Sequence, residues 1–232
     1  MTNIMKTLSE IAISYNTDKG PSYHNFVEFY ERYFEPVRFD VKKILEIGIG
    51  PEEGSSLLMW RDYFENAMVY GIDIKDFKEQ YDNKGNIKTF KMDQGDKESL
   101  INFVTEHGPF DIIIEDGSHM QHHQQLNLAW LYPYVKKGGF FVIEDLYFSY
   151  DCESELKRLN DTDTKALPMI ENFISTGKIE SDFITESESE YIQNETEYCN
   201  IENGIYFDWS SCFGKVGQVL NKNCECAVFK KL

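Results

Sequence analysis

Residues 115–123 read EDGSHMQHH. Two acids, a Gly-Ser turn and three histidines follow FDIII (110–114), an apolar run with the make-up of a buried strand. Asp116, His119, His122 and His123 would be expensive to bury unpaired at such a strand end. Three chemistries fit this stretch locally. Carboxylate and imidazole can share a metal ion. An imidazole can serve as a catalytic base near neutral pH. Polar side chains can also simply cap the helix that follows. Acids recur at comparable places along the chain. Asp73 ends MVYGIDI (68–74), Asp93 and Gln94 end IKTFKMDQ (87–94), and Glu144-Asp145 fall near the end of GGFFVIEDL (138–146). KKILEIGIG (42–50) places Glu46 just ahead of Gly48 and Gly50.

These groups need elements to hold them. Each of the five runs is rich in β-branched and aromatic residues and is followed by a polar or glycine turn. Between them lie helical patterns at 55–64, 97–107 and 123–135, and two more, at 5–15 and 25–34, precede the first run. Strands alternating with helices of about ten residues argue for βαβ units and a mostly parallel sheet. After residue 150 the pattern weakens to a helix at 164–177 and strand-like runs at 204–216 and 224–232. Residues 179–203 hold eight acids and neither Lys nor Arg, which reads as a solvated acidic loop or sheet edge. Tyr206, Phe207 and Trp209 read as sheet-packing aromatics or as a sugar-stacking platform.

The chain of 232 residues, 41% hydrophobic, is long enough for one α/β domain with a sizeable core. We divide it into an N-terminal helical cap (1–40), a core (41–150) and a C-terminal part of the sheet with a lid (151–232). A formal charge of −17 repels phosphate backbones and argues against nucleic acid as a partner. No apolar run approaches the ~20 residues of a membrane span. Five cysteines (Cys152, Cys199, Cys212, Cys224, Cys226) and no secretory signal suit reduced thiols in a cytoplasm. Cys224 and Cys226 form a lone C-x-C, which strand alternation sends to one face. The acidic, aromatic-rich chain also suggests a homo-oligomer.

In an open α/β sheet, ligands bind beyond the carboxyl ends of the strands, where the strand order reverses. Gly54 comes one residue too late for the G-x-G-x-x-G of a dinucleotide site, since Glu53 stands there. Glu46-Ile-Gly48-Ile-Gly50 instead resembles the E/D-x-G-x-G of S-adenosylmethionine-dependent methyltransferases with the seven-stranded Rossmann-like fold. On that resemblance Asp73 would accept from the ribose hydroxyls and Asp93 would lie beside the adenine. Asp116, Glu144 and Asp145 would converge from adjacent strands, and three anions together call for protons or a cation. Oxygen-only ligation suits Mg²⁺, with positions left over for a vicinal diol and water. His119, three residues past Asp116, can then take the proton of the hydroxyl being methylated. Zinc held by His119 and His123 at i and i+4 is the competing metal reading.

From Asn16 to Tyr150 the chain resembles the macrocin and mycinamicin sugar O-methyltransferase family. The segments are NTDKG, ILEIGIG, GSSLLMWRDYF, VYGIDI, DQGD, FDIIIEDGSH and YPYVKKGGFFVIEDL, with D-G-S-H and the later E-D pair the most specific. The resemblance implies Mg²⁺-dependent methyl transfer from S-adenosylmethionine to a sugar hydroxyl. It makes Asp116, Glu144 and Asp145 metal ligands and His119 the base. Glu46, Gly48, Gly50, Ser55, Asp73, Asp93 and Gln94 would bind the cofactor. Thr17 and Lys19 of the T-D-K cap would join them, with His24 and Tyr147 toward the acceptor. We expect the acceptor to be a nucleotide-linked sugar or heptose destined for a bacterial surface polysaccharide. A natural-product sugar, a catechol-like diol, an NAD-dependent oxidoreductase and a non-catalytic nucleotide-binding scaffold are the alternatives.

Overall fold

The computed structural model describes residues 5–50, 55–81, 84–146, 163–204 and 224–232. Its strands are β1 (Lys43–Ile47), β2 (Met68–Asp73), β3 (Ile87–Lys91), β4 (Phe110–Glu115), β5 (Val135–Ile143), β6 (Thr196–Gly204) and β7 (Cys224–Lys231). They form one seven-stranded sheet in the order β3-β2-β1-β4-β5-β7-β6. The first five run parallel, and β7 is antiparallel to both β5 and β6. The strand-helix alternation predicts the parallel part of this sheet, and the whole is the Rossmann-like methyltransferase architecture that the resemblance implies. The order reverses between β1 and β4, so the carboxyl ends of those strands border a crevice.

The helices are α1 (Leu8–Tyr15), α2 (Phe26–Phe34), α3 (Ser55–Tyr63), α4 (Lys78–Tyr81), α5 (Lys97–His107), α6 (Gln121–Leu131), α7 (Ala166–Thr176) and α8 (Glu186–Glu195). They cover both faces because the central strands are apolar on both. In β4, Ile112 and Ile114 pack toward α1, α2 and α3, while Ile113 packs toward α5, α6 and α7. The same alternation puts Val142 and Phe140 of β5 on the first face and Phe141 and Ile143 on the second. The first face holds an aromatic knot in which Tyr30 meets Trp60 edge-on at 5.6 Å and stacks on Phe34 at 5.2 Å. Each such ring, fully buried, contributes about 1.5–3 kcal/mol. That knot fixes α2, and with it the loop that precedes α2, against the sheet.

Several element boundaries differ from the sequence reading, each for a local reason. The first helix starts at Leu8 rather than Met5, because Thr7 and Glu10 form a reciprocal capping box. The helix expected over 123–135 runs from Gln121 to Leu131 and ends in a 3-10 turn containing Pro133, which cannot continue it. The Gly-Gly expected to open the fifth strand lies inside β5, where the β4 register shifts between Phe110 and Ile112. The acidic stretch 179–203 is structured: Thr185 caps α8, and β6 follows as the outer strand of the sheet. Tyr206, Phe207, Trp209 and most of 204–216 lie outside the described residues, as do Cys152 and Cys212. No described helix is long and apolar enough to cross a membrane.

Candidate active site

Beyond the carboxyl ends of β1, β2, β3 and β4 lies a cavity of about 740 Å³. That volume is in the range of small-molecule and cofactor sites. It is lined by Gly48, Gly50, Asp73, Asp93 and Gln94 from the end of β2 and the loops after β1 and β3, and by Asp116, His119 and Asp145 from those after β4 and β5. Gly48 has φ +88, and a methyl group there would come within 2.7 Å of Gly117 Cα. Glycine at 48 therefore lets the loop after β1 bend in the left-handed region and pass directly against the loop after β4. The Ile49 amide donates to Asp73 Oδ2 at 2.9 Å, and the Lys75 amide to Asp73 Oδ1 at 2.8 Å. Asp73 is thus aimed by the turns on either side of it. Asp93 is held by the Gly95 amide at 2.8 Å.

Asp116 and Asp145 lie among buried carboxyl groups. Glu46, Glu115 and Glu144 are essentially inaccessible, and Asp145 nearly so. Lys19, itself buried, brings its ammonium to Asp116, to Glu144 Oε2 at 2.7 Å and to Glu46 Oε1 at 3.4 Å. Burial opposes the Lys19 charge, but Asp116, Glu144 and Glu46 outweigh it and hold the amine well above its usual range. The Tyr30 hydroxyl donates to Glu144. The Ser56 hydroxyl donates to Glu46 at 2.9 Å. Even so, burial pushes Glu46 up to about 7 and Glu144 well above the carboxylate range, the latter aided by its neighbour Asp116. Burial also raises Asp116, with Lys19 opposing and Asp145 adding to the rise. Lys19 alone leaves this cluster short of positive charge, which is the condition a divalent cation relieves.

Ligand atoms of Asp116, His119 and Asp145 lie within 4.8 Å of one another. His119 Nε2 stands 3.6 Å from Asp145 Oδ2. Both residues have positive φ, +54 at His119 and +56 at Asp145. Side-chain-bearing residues rarely hold that conformation, and where they do it is commonly at working sites. This donor set fits a hard divalent ion at Asp116 and Asp145, with His119 facing the same point.

The structure thus brings together Gly48, Gly50, Asp73, Asp93, Gln94, Asp116, His119 and Asp145 around one cavity. Glu144 lies beneath it, turned to Lys19 and Tyr30. Glu46 accepts from Ser56, and Lys19 joins the carboxylates of Asp116, Glu144 and Glu46. Ser55 opens α3 and does not line the cavity. Thr17 is buried, while its neighbour Asp18 reaches the cavity. His24 is buried and stacks on Phe26 at 5.3 Å. Tyr147 lies outside the described residues. His119 precedes α6, so it does not share a helical face with His123, and the geometric basis for a His119–His123 zinc site is lost. His123 Nδ1 instead meets Ser118 Oγ at 2.8 Å. Sequence reasoning missed the Lys19–Glu144 and Tyr30–Glu144 contacts. The available signal was that a buried Glu144 needs charged or hydroxyl partners from some other element.

No family model matches the chain. Curated relatives are similar to it over 62–64% of its length. L-olivosyl-oleandolide 3-O-methyltransferase of Streptomyces antibioticus is 38% identical over 154 residues, covering 64% of this chain and 39% of the relative. Demethylmacrocin O-methyltransferase of Streptomyces fradiae is 39% identical over 154 residues, 64% of this chain and 38% of the relative. Mycinamicin VI 2''-O-methyltransferase of Micromonospora griseorubida is 40% identical over 148 residues, 62% and 37% of the two chains. The chain spans less than two fifths of the length of these relatives. Among solved structures, MycE methyltransferase from the mycinamycin biosynthetic pathway, in complex with Mg and SAH, aligns with a TM-score of 0.72 at 27% identity. That alignment covers 98% of this chain and 55% of the other.

Proposed function

This chain is related to the macrocin and mycinamicin sugar O-methyltransferases, and from that premise we propose that it transfers a methyl group from S-adenosylmethionine to a sugar hydroxyl with Mg²⁺. The observation that carries the reading is that Gly48, Asp73 and Asp93 line one cavity together with Asp116, His119 and Asp145. Gly48, Gly50, Asp73 and Asp93 would hold the cofactor, which would supply an electrophilic methyl. Held by Asp116 and Asp145, with Glu144 behind them, a bound Mg²⁺ would acidify a hydroxyl at that point. His119 accepts the hydroxyl proton at Nε2, and Asp145 at 3.6 Å stabilises the imidazolium that results. The oxygen–carbon bond forms as the sulfur–carbon bond breaks, and the electron pair returns to sulfur. The residues that line the cavity contribute mainly by alignment.

The relatives' names favour one acceptor class. They describe methylation of sugars already joined to small-molecule aglycones, such as an olivosyl oleandolide or mycinamicin VI. A glycosylated natural product is therefore a better-supported acceptor than a nucleotide-linked sugar or heptose of a surface polysaccharide. The test is to incubate the chain with S-adenosylmethionine and Mg²⁺ over a panel of glycosylated macrolides and nucleotide-linked sugars. Mass spectrometry should show one methyl gained on a sugar of the former. His119→Ala should lower the rate by about 10²–10⁴-fold. Asp116→Asn should abolish the response to Mg²⁺. Methyl transfer that survives both changes would refute His119 as the base and Asp116 as a metal ligand.

A further inference from the structure

Gln94 follows Asp93 at the end of the β3 segment, where a cofactor contact is the obvious role. Its side chain is engaged elsewhere. Gln94 Nε2 donates to Glu115 Oε1 at 2.7 Å, and Gln94 Oε1 accepts from the Ser118 amide at 2.6 Å. The carboxamide therefore bridges a buried carboxyl at the end of β4 to the turn just beyond it. That turn delivers His119, whose φ of +54 must be imposed by its surroundings. Three ties reach the residue before it: the Gln94 carbonyl on Ser118 N, His123 Nδ1 on Ser118 Oγ, and the Met120 amide on Ser118 Oγ at 3.3 Å. Gln94 supplies a tie to the main chain of the turn from the loop after β3, and Glu115 in turn fixes Gln94.

Gly117 adds an independent observation. A methyl group at that position would fall 2.7 Å from Gln94 Cδ and closer still to the carboxamide oxygen. Gly117 does not have a positive φ, so its lack of a side chain is needed for room. The room is what Gln94 occupies. The turn and the carboxamide are therefore fitted to each other.

We propose that Gln94 is a positioning residue for His119, acting through the Ser118 amide, rather than a cofactor ligand. This rests on the reading of His119 as the base. Gln94→Ala, Gly117→Ala and the double variant of the full chain test it. Gln94→Ala is expected to speed amide hydrogen exchange at Ser118 and to shift the His119 imidazole signals in ¹H–¹⁵N spectra. It should lower kcat by about 10²-fold, the effect of a small misplacement of a reacting group. KM for the acceptor and the calorimetric Kd for S-adenosylhomocysteine should stay as in the parent. Gly117→Ala, which displaces the carboxamide without altering Gln94, should reproduce all of this. The double variant should be no worse than either single one, because both remove the same contact. Should Gln94→Ala fail to fold, Gly117→Ala carries the same test. A weaker Kd with unchanged kcat would overturn the proposal in favour of cofactor contact, as would unchanged Ser118 exchange or additive variants. If the parent methylates nothing while exchange and His119 signals move as expected, the functional reading falls and the positioning of His119 stands.

Discussion

His119 and Asp145 face each other from the ends of two loops, and both hold backbone conformations that favour glycine. Strain of this kind costs about 1 kcal/mol or more at each residue and persists only where neighbours enforce it. Glu115 is one of those neighbours, and its own burial has a measurable signature. Its carboxyl is pushed up to about 7 by burial, against an ordinary 4.5, although His119 and Gln94 pull it down. The folded chain therefore holds this proton more tightly than the unfolded chain does. The associated stability is full below about pH 4.5 and is lost as pH rises to about 7. Above that range the ionised form costs about 3 kcal/mol. Glu115→Gln keeps an acceptor for Gln94, so it should stabilise the metal-free protein at pH 8 by about 2–3 kcal/mol and not at pH 4. Urea unfolding at the two pH values would show it, and equal effects at both would refute the burial account.

The loop between α1 and α2 is short and polar, yet it buries Thr17, Lys19 and His24. It turns at Asn16, whose φ is +51, and is tied down by His24 N on Asp18 O and Val27 N on Lys19 O. Its deepest attachment is the Lys19 ammonium among Asp116, Glu144 and Glu46. The cap is thus fastened to the sheet through the carboxylates of the candidate metal site. Removing one partner of a buried ion pair leaves the others uncompensated. Lys19→Met should destabilise the metal-free protein by about 3 kcal/mol in urea titrations. Part of that loss should return on adding Mg²⁺, which supplies the missing positive charge. A variant as stable as the parent in chelator would show that the cap is held by α1 and α2 packing alone.

The sheet as a whole sets where chemistry can occur. Reversal of strand order between β1 and β4 opens a crevice that no local sequence rule could place in space. Binding there acts on the entire fold, because a ligand that binds only the native state stabilises all of it. S-adenosylhomocysteine at about 100 times its Kd should add about 2.7 kcal/mol. For a chain of this length that corresponds to a rise in Tm of roughly 5–10 °C. An unmoved Tm, read by scanning calorimetry, would speak against the cavity as the cofactor site. A formal charge of −17 makes the same surface inhospitable to polyanions, in keeping with a small-molecule acceptor.

What can be read without coordinates is what periodicity and composition encode. Alternating apolar runs and amphipathic segments announce a parallel α/β sheet, because strands buried on both faces must be apolar on both. Acids at the ends of those runs announce a polar crevice, since the carboxyl ends of the strands share one edge. The partners across that edge are not legible. Lys19 and Glu144 are 125 residues apart in the chain, and nothing local to either names the other. The polar T-D-K loop suggests a place for Lys19 at the cofactor, and the packing of α2 under Tyr30 and Trp60 carries it to the carboxylates instead. The family resemblance suggests the same for Gln94, while its carboxamide faces Glu115 of β4 and the turn beyond it. Sequence spacing reports which face of an element a residue occupies. Which element that face meets depends on strand order and on helix packing, and these arise only when the whole chain buries its apolar surface together.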